Sequence, residues 1–111
     1  MEFNYKLIRK HKTLDADGRN LIHIRILINY KTKEMEKFSV VYVHAGTKGE
    51  INIFQADGSQ QERVNVHHFY KKPPQKEYHN RPLALDTIQA YIDHITINWQ
   101  WYLSQYRQNY I

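Results

Sequence analysis

The segment Leu85 to Tyr110, LDTIQAYIDHITINWQWYLSQYRQNY, constrains the fold more than any other part of the chain. Its apolar residues Ile88, Ile92, Ile95, Trp99, Tyr102, Tyr106 and Tyr110 recur at intervals of three and four, which stacks them into one stripe on a helix. A start signal precedes the stripe: Asp86 is placed to cap the free amides of the first turn, and Gln89 to reach back to it. The helix body is expected over about 86–109. Burying each large side chain of such a stripe contributes about 1.5–3 kcal/mol. That gain needs an opposing apolar surface, and the residues upstream must supply it.

Those residues read as strands. Phe3 to Lys10 alternates Phe3, Tyr5, Leu7 and Arg9 against Asn4, Lys6, Ile8 and Lys10, and its lysines suit an exposed sheet edge. Asp15-Ala16-Asp17-Gly18 signals a turn, with Gly18 free to take the positive φ of a tight reversal. Asn20 to Tyr30 sets Ile22, Ile24, Ile26, Ile28 and Tyr30 against Leu21, His23, Arg25, Leu27 and Asn29, the pattern of a central strand. Phe38 to His44 and Glu50 to Ala56 follow, with the AGTKGE loop between them. Asp57-Gly58 between apolar runs predicts a hairpin, after which Gln61 to Tyr70 alternates Val64, Val66 and His68 against Arg63, Asn65 and His67. Lys71 to Pro82, KKPPQKEYHNRP, holds Pro73, Pro74 and Pro82 and is predicted to cross the surface as an extended loop without strand pairing. The expectation is one α+β domain over 1–111: a five-stranded antiparallel meander at about 3–70, a loop at 71–82, and one long C-terminal helix packed on one face.

Composition narrows the chemistry. Without cysteine, the chain has no disulfide, thiol nucleophile or thiolate metal site. Sixteen Lys and Arg against eleven Asp and Glu give a net charge of +5, which favours acidic partners such as nucleic acid as well as simple solubility. The N-terminal MEFNYKLIRK lacks the apolar run of a signal peptide, and no stretch reaches the ~20 apolar residues of a membrane span, so a cytoplasmic protein with no membrane partner is expected. Nine tyrosines suit base stacking or a half-wet interface equally. No H-E-x-x-H, carboxylate cluster, phosphate loop or serine elbow occurs, so neither a metal nor a cofactor is expected.

The densest polar constellation lies at 67–81. His67 and His68 are the candidate catalytic pair, and Arg25, Tyr70, Lys71, Lys72, Tyr78, His79 and Arg81 the candidate RNA-binding residues. Metal-free RNA cleavage needs a proton acceptor near pH 7, a cation for the phosphate and an aromatic ring for a base, and these residue types supply them. His67 shares the polar face with Arg63 and Asn65 and is the stronger functional candidate; His68 shares a face with Val64 and Val66 and reads equally as a partly buried histidine with a satisfied hydrogen bond. Lys71, Lys72 and Lys76 also read as a solvated basic loop. Trp101, off the main stripe, either widens the buried face of the helix or marks a contact surface.

The order FSVVYV, INIFQADG, VNVHHFY and then a helix with Asn98-Trp99 and Tyr102 resembles the small TumE-type toxins of toxin-antitoxin systems and a neighbouring uncharacterised family, over roughly Phe38 to Tyr106. In that family an Arg-Tyr-Asp segment on one strand precedes a His-x-His pair on the next. Here Phe54-Gln55-Ala56-Asp57 stands in place of the first, leaving Asp57 as the match, and adjacent His67-His68 in place of the second. The resemblance implies a toxin acting on RNA and an antitoxin partner. Two functions are thus expected from the sequence: a toxin-like protein that binds and cleaves RNA without metal, or a non-catalytic interaction module whose Tyr- and Trp-rich helix docks a protein partner or a second copy of the chain.

Overall fold

The computed structural model describes residues 5–60 and 63–111. Its elements are β1 (Tyr5–Thr13), β2 (Asn20–Asn29), β3 (Met35–Gly46), β4 (Gly49–Ser59), β5 (Val64–His68), β6 (Gln75–His79) and α1 (Leu85–Tyr110). The strands pair antiparallel in chain order as one six-stranded sheet, and α1 lies across one face, over β3 and β4. The α+β meander expected from the sequence therefore holds, with one more strand. Of the first and fifth expected strands, Phe3, Asn4, Gln61 and Glu62 lie outside the described residues.

The extra strand corrects the reading of 71–82 as an unpaired loop. Pro73 and Pro74 precede β6 and Pro82 follows it, so none of the three falls where a ladder amide is needed. β6 is also an edge strand, bonded on one side only, to β5. A second correction concerns Asp57-Gly58, which lies inside β4 rather than at a turn. Gly58 pairs with Phe38 and Val64, and a Cβ placed on it would fall within the Phe38 ring. The glycine makes room for an aromatic ring rather than bending the chain. The Asp15–Gly18 turn does form, with Gly18 at φ 69°.

The buried face carries Ile22 from β2, Phe38, Val40 and Tyr42 from β3, Phe54 and Ala56 from β4, and Val64 and Val66 from β5. Strict alternation would put Ile53 on the other side. A bulge between the Tyr42–Phe54 and Val43–Asn52 pairs breaks the alternation, so Ile53 and Phe54 are both buried. From α1, Ile88, Tyr91, Ile95, Tyr102 and Leu103 enter the core, while Ile92, Trp99 and Tyr106 pack at its margin. Tyr110, the last member of the predicted stripe, stays exposed, its hydroxyl donating to the Lys71 carbonyl at 2.6 Å.

The predicted capping box does not form. Ala84 is the N-cap and has no side-chain cap; Asp86 sits within the first turn, where its charge favours the helix dipole, and the Gln89 amide donates forward to Asp93 at 2.8 Å. Among the described residues no helix is long and apolar enough to cross a membrane.

Candidate functional site

Successive side chains of a strand point to opposite faces, and in β5 this separates the adjacent histidines. His68, paired with Phe54, faces α1; His67, paired with Gln55, faces the side that α1 leaves uncovered. The sequence candidates are divided in the same way. Tyr70, His79 and Arg81 accompany His68, whereas Arg25 and Tyr78 share the open face with His67. No single centre holds them all.

On the helix side, a cleft of about 700 Å³ between β5, β6 and α1 is lined by Phe54, His68, Glu77, His79, Arg81, Tyr91, His94 and Tyr102, among others. Glu77 is its hinge. One carboxylate oxygen lies 2.9 Å from His68 Nε2 and the other 3.1 Å from His79 Nε2. A carboxylate only accepts, so both imidazoles turn an N–H toward it and leave Nδ1 as an acceptor. Each Nδ1 then receives a tyrosine hydroxyl, Tyr70 on His68 at 3.1 Å and Tyr91 on His79 at 2.8 Å. The result is a closed chain, Tyr70–His68–Glu77–His79–Tyr91, that ties both last strands to the helix.

Its electrostatics follow from geometry. The His79 hydrogen bond, with the nearby His68, holds Glu77 below the usual carboxylate range, while burial holds His68 below an ordinary imidazole against the opposing pull of Glu77. Desolvation likewise lowers His94, which bonds the Tyr102 hydroxyl, and raises Tyr91 and Tyr102. His68, His94, Tyr91 and Tyr102 are thereby favoured as neutral hydrogen-bond partners, and Glu77 as the carboxylate. Arg81 packs its guanidinium on the Tyr91 ring, 5.5 Å from the centroid.

The open face is built differently. Its rows run straight across the sheet: Arg9, Arg25, Ser39, Asp57, Asn65 and Tyr78 form one, and His11, His23, Val41, Gln55, His67 and Lys76 the next. His67 Nε2 lies 3.3 Å from Asp57 Oδ2, with both side chains partly exposed, at 25% and 34%. The Gln55 amide donates to both oxygens of Asp57, at 2.9 and 2.8 Å, fixing the carboxylate plane. Phe69 stacks on the His67 ring, 5.3 Å between centroids and 7° apart in plane. Among the described residues no hydrogen bond reaches His67 Nδ1. An oriented imidazole with one vacant nitrogen is what general base catalysis requires. A cleft of about 880 Å³ beside it is lined by Arg25, Ser39, Asp57, Asn65 and Lys37, among others.

The remaining candidates lie apart from both sites. Lys71 bonds Gln75 at 3.0 Å in the β5–β6 turn, and Lys72 caps the Tyr110 ring at 5.7 Å, near the C-terminal end of α1. Sequence reasoning missed Glu77 because it missed β6, and missed the Asp57–His67 pair because it placed a turn at Asp57. Running the fourth strand on to Ser59 and starting the fifth at Val64 would have set Gln55 opposite His67 and brought Asp57 alongside. Among the described residues no group of three His, Asp or Glu is arranged to hold a metal ion. The chain matches no protein-family model, no curated protein and no solved structure, so the TumE-type resemblance stands on its short segments alone.

Proposed function

We propose that the protein is a small toxin-like factor that binds RNA on the open face of its sheet and cleaves it without metal, with His67 as the base. The observation that carries this reading is the placement of His67, its ring stacked on Phe69, its Nε2 3.3 Å from Asp57 Oδ2 and its Nδ1 without a hydrogen-bond partner among the described residues. In the proposed step His67 Nδ1 takes the proton of a ribose 2′-hydroxyl. The 2′-oxygen attacks the adjacent phosphorus, the bond to the 5′-oxygen breaks, and that oxygen leaves with a proton from Lys76, which stands opposite His67 on β6. The products are a 2′,3′-cyclic phosphate and a 5′-hydroxyl. Arg25, three strands away on the same face, supplies positive charge for the RNA backbone, and Tyr78, 72% exposed on that face, offers a ring for a base.

Incubating the purified protein with total RNA in a chelator tests this. Fragments ending in cyclic phosphate, absent with His67→Ala, are expected; intact RNA at micromolar protein removes the cleavage reading. A second reading has its own observation: Ile97 and Trp101, one turn apart on α1, are 80% and 53% exposed. In this reading the helix is an interaction surface for an antitoxin or a second copy. Light scattering separates the two, because a strictly monomeric chain whose partner binding is unchanged by Trp101→Ala leaves the helix without that role.

A further inference from the structure

Arg9 on β1 stands directly opposite Arg25 on β2, and His11 directly opposite His23. Directly opposed side chains lie close together, and like charges at such positions destabilise a strand pair. An acid opposite either arginine would turn the repulsion into attraction. Neither arginine takes part in any ion pair within 4.0 Å among the described residues. Asp57, in the same row, is already engaged by His67 and Gln55, and Glu50 by His23 at 3.5 Å. Among the described residues, therefore, no carboxylate compensates the repulsion between the two guanidinium groups.

Arg25 also stands where three surface depressions meet. One leads toward Asp57 and Ser39, one toward Gln55 and Glu50, and one toward Arg9 and His11. A ligand that lies along the sheet from β5 to β1 must pass it. Four strand spacings of about 4.8 Å each set that path at roughly 19 Å, longer than a single nucleotide and suited to a short run of phosphates.

We infer that the opposed Arg9–Arg25 pair is a phosphate-backbone track for single-stranded nucleic acid, guiding the strand across β1 and β2 toward His67. This rests on the RNA reading above, and it adds the direction of the strand and the residues that hold it away from the cleaved bond. Phosphate contacts of this kind position a strand without reading its sequence. The missing counter-charge is then the ligand.

The test uses a fluorescent single-stranded DNA octamer, which lacks the 2′-hydroxyl and so reports binding apart from cleavage. Anisotropy is followed from low to physiological salt for the wild type, for Arg9→Gln/Arg25→Gln and for Lys31→Gln/Lys33→Gln, a control of equal charge change at the far β2–β3 turn. Losing two phosphate contacts lowers the slope of log affinity against log salt by about 1.4. That change in the arginine variant alone, with thermal stability equal to or above wild type, is expected. Equal losses in both variants, an unchanged slope in the arginine variant, or no binding by the wild type would each overturn the track. RNA left intact by a wild type that still binds DNA through the two arginines removes the cleavage chemistry and leaves the track in place.

Discussion

His68 and His67 occupy consecutive positions on β5, yet the first has both ring nitrogens bonded, to Glu77 and Tyr70, while the second has one polar contact among the described residues, to Asp57 through Nε2. The helix-covered face gathers three histidines and three tyrosines whose ring nitrogens and hydroxyls bond one another and Glu77. The open face gathers arginines, histidines and a carboxylate with valences to spare. Counting imidazoles does not separate the faces, since His11, His23 and His67 stand on one and His68, His79 and His94 on the other. What distinguishes a structural histidine from a chemically available one is hydrogen-bond saturation, because a saturated group must break a bond before it can act.

The comparison can be broken most directly at His67. Its replacement by Ala is expected to lower RNA cleavage by about 100-fold or more, the usual worth of a general base, while the urea midpoint stays at the wild-type value. Comparable loss from His68→Ala in a fully folded protein would reverse the assignment of the two faces. Next in size is Gly58→Ala, which forces a methyl group into the Phe38 ring and should cost about 3 kcal/mol of stability in equilibrium urea denaturation. A cost near zero would mean that the helix-covered core is loosely packed there. His68→Ala leaves Glu77 and Tyr70 without their partner and should cost about 2 kcal/mol in the same measurement, with the open face and its activity preserved.

The smallest effect is a pH dependence. Burial holds the folded imidazoles of His68, His94 and His44 below their ordinary value of 6.5. The unfolded chain then binds more protons as the medium acidifies, so stability is fully present above about pH 6.5 and declines as pH falls below it. Glu77, depressed chiefly by its bond to His79, adds a further loss as pH falls through its own folded value. Melting temperature measured from pH 7.5 to 5 should fall, and His94→Gln should flatten the decline. A flat wild-type curve would contradict the desolvation assigned to the cleft.

Much of the fold was legible because long-range and local signals agreed. The stripe from Ile88 to Tyr110 and the alternation from Asn20 to Tyr30 each required one face to turn inward: Ile88, Ile95, Tyr102 and Ile22 are buried and Ile92, Trp99, Tyr106, Ile24 and Ile26 pack beside them, while Tyr110 and Tyr30 at the ends stay exposed. β6 was hidden because proline was read as barring a segment when it barred only its ends. Gly58 was misread because its reason is a ring on the neighbouring strand, which no local pattern reveals. The site was less legible. Alternation correctly parted His67 from His68, but which cations and acids joined each depends on register across four strands, and that register follows from β4 continuing through Asp57-Gly58 to Ser59, where the local pattern predicts a hairpin.

The prolines that bracket β6 have one more consequence. The strand is five residues long, stopped by Pro74 on one side and Pro82 beyond the other, and the opposite border of the sheet, β1, presents Lys6, Lys10 and Lys12. Both margins are thus poor templates for recruiting another ribbon. If the protein assembles, growth by end-on stitching of sheets is disfavoured, and copies would have to meet broadside.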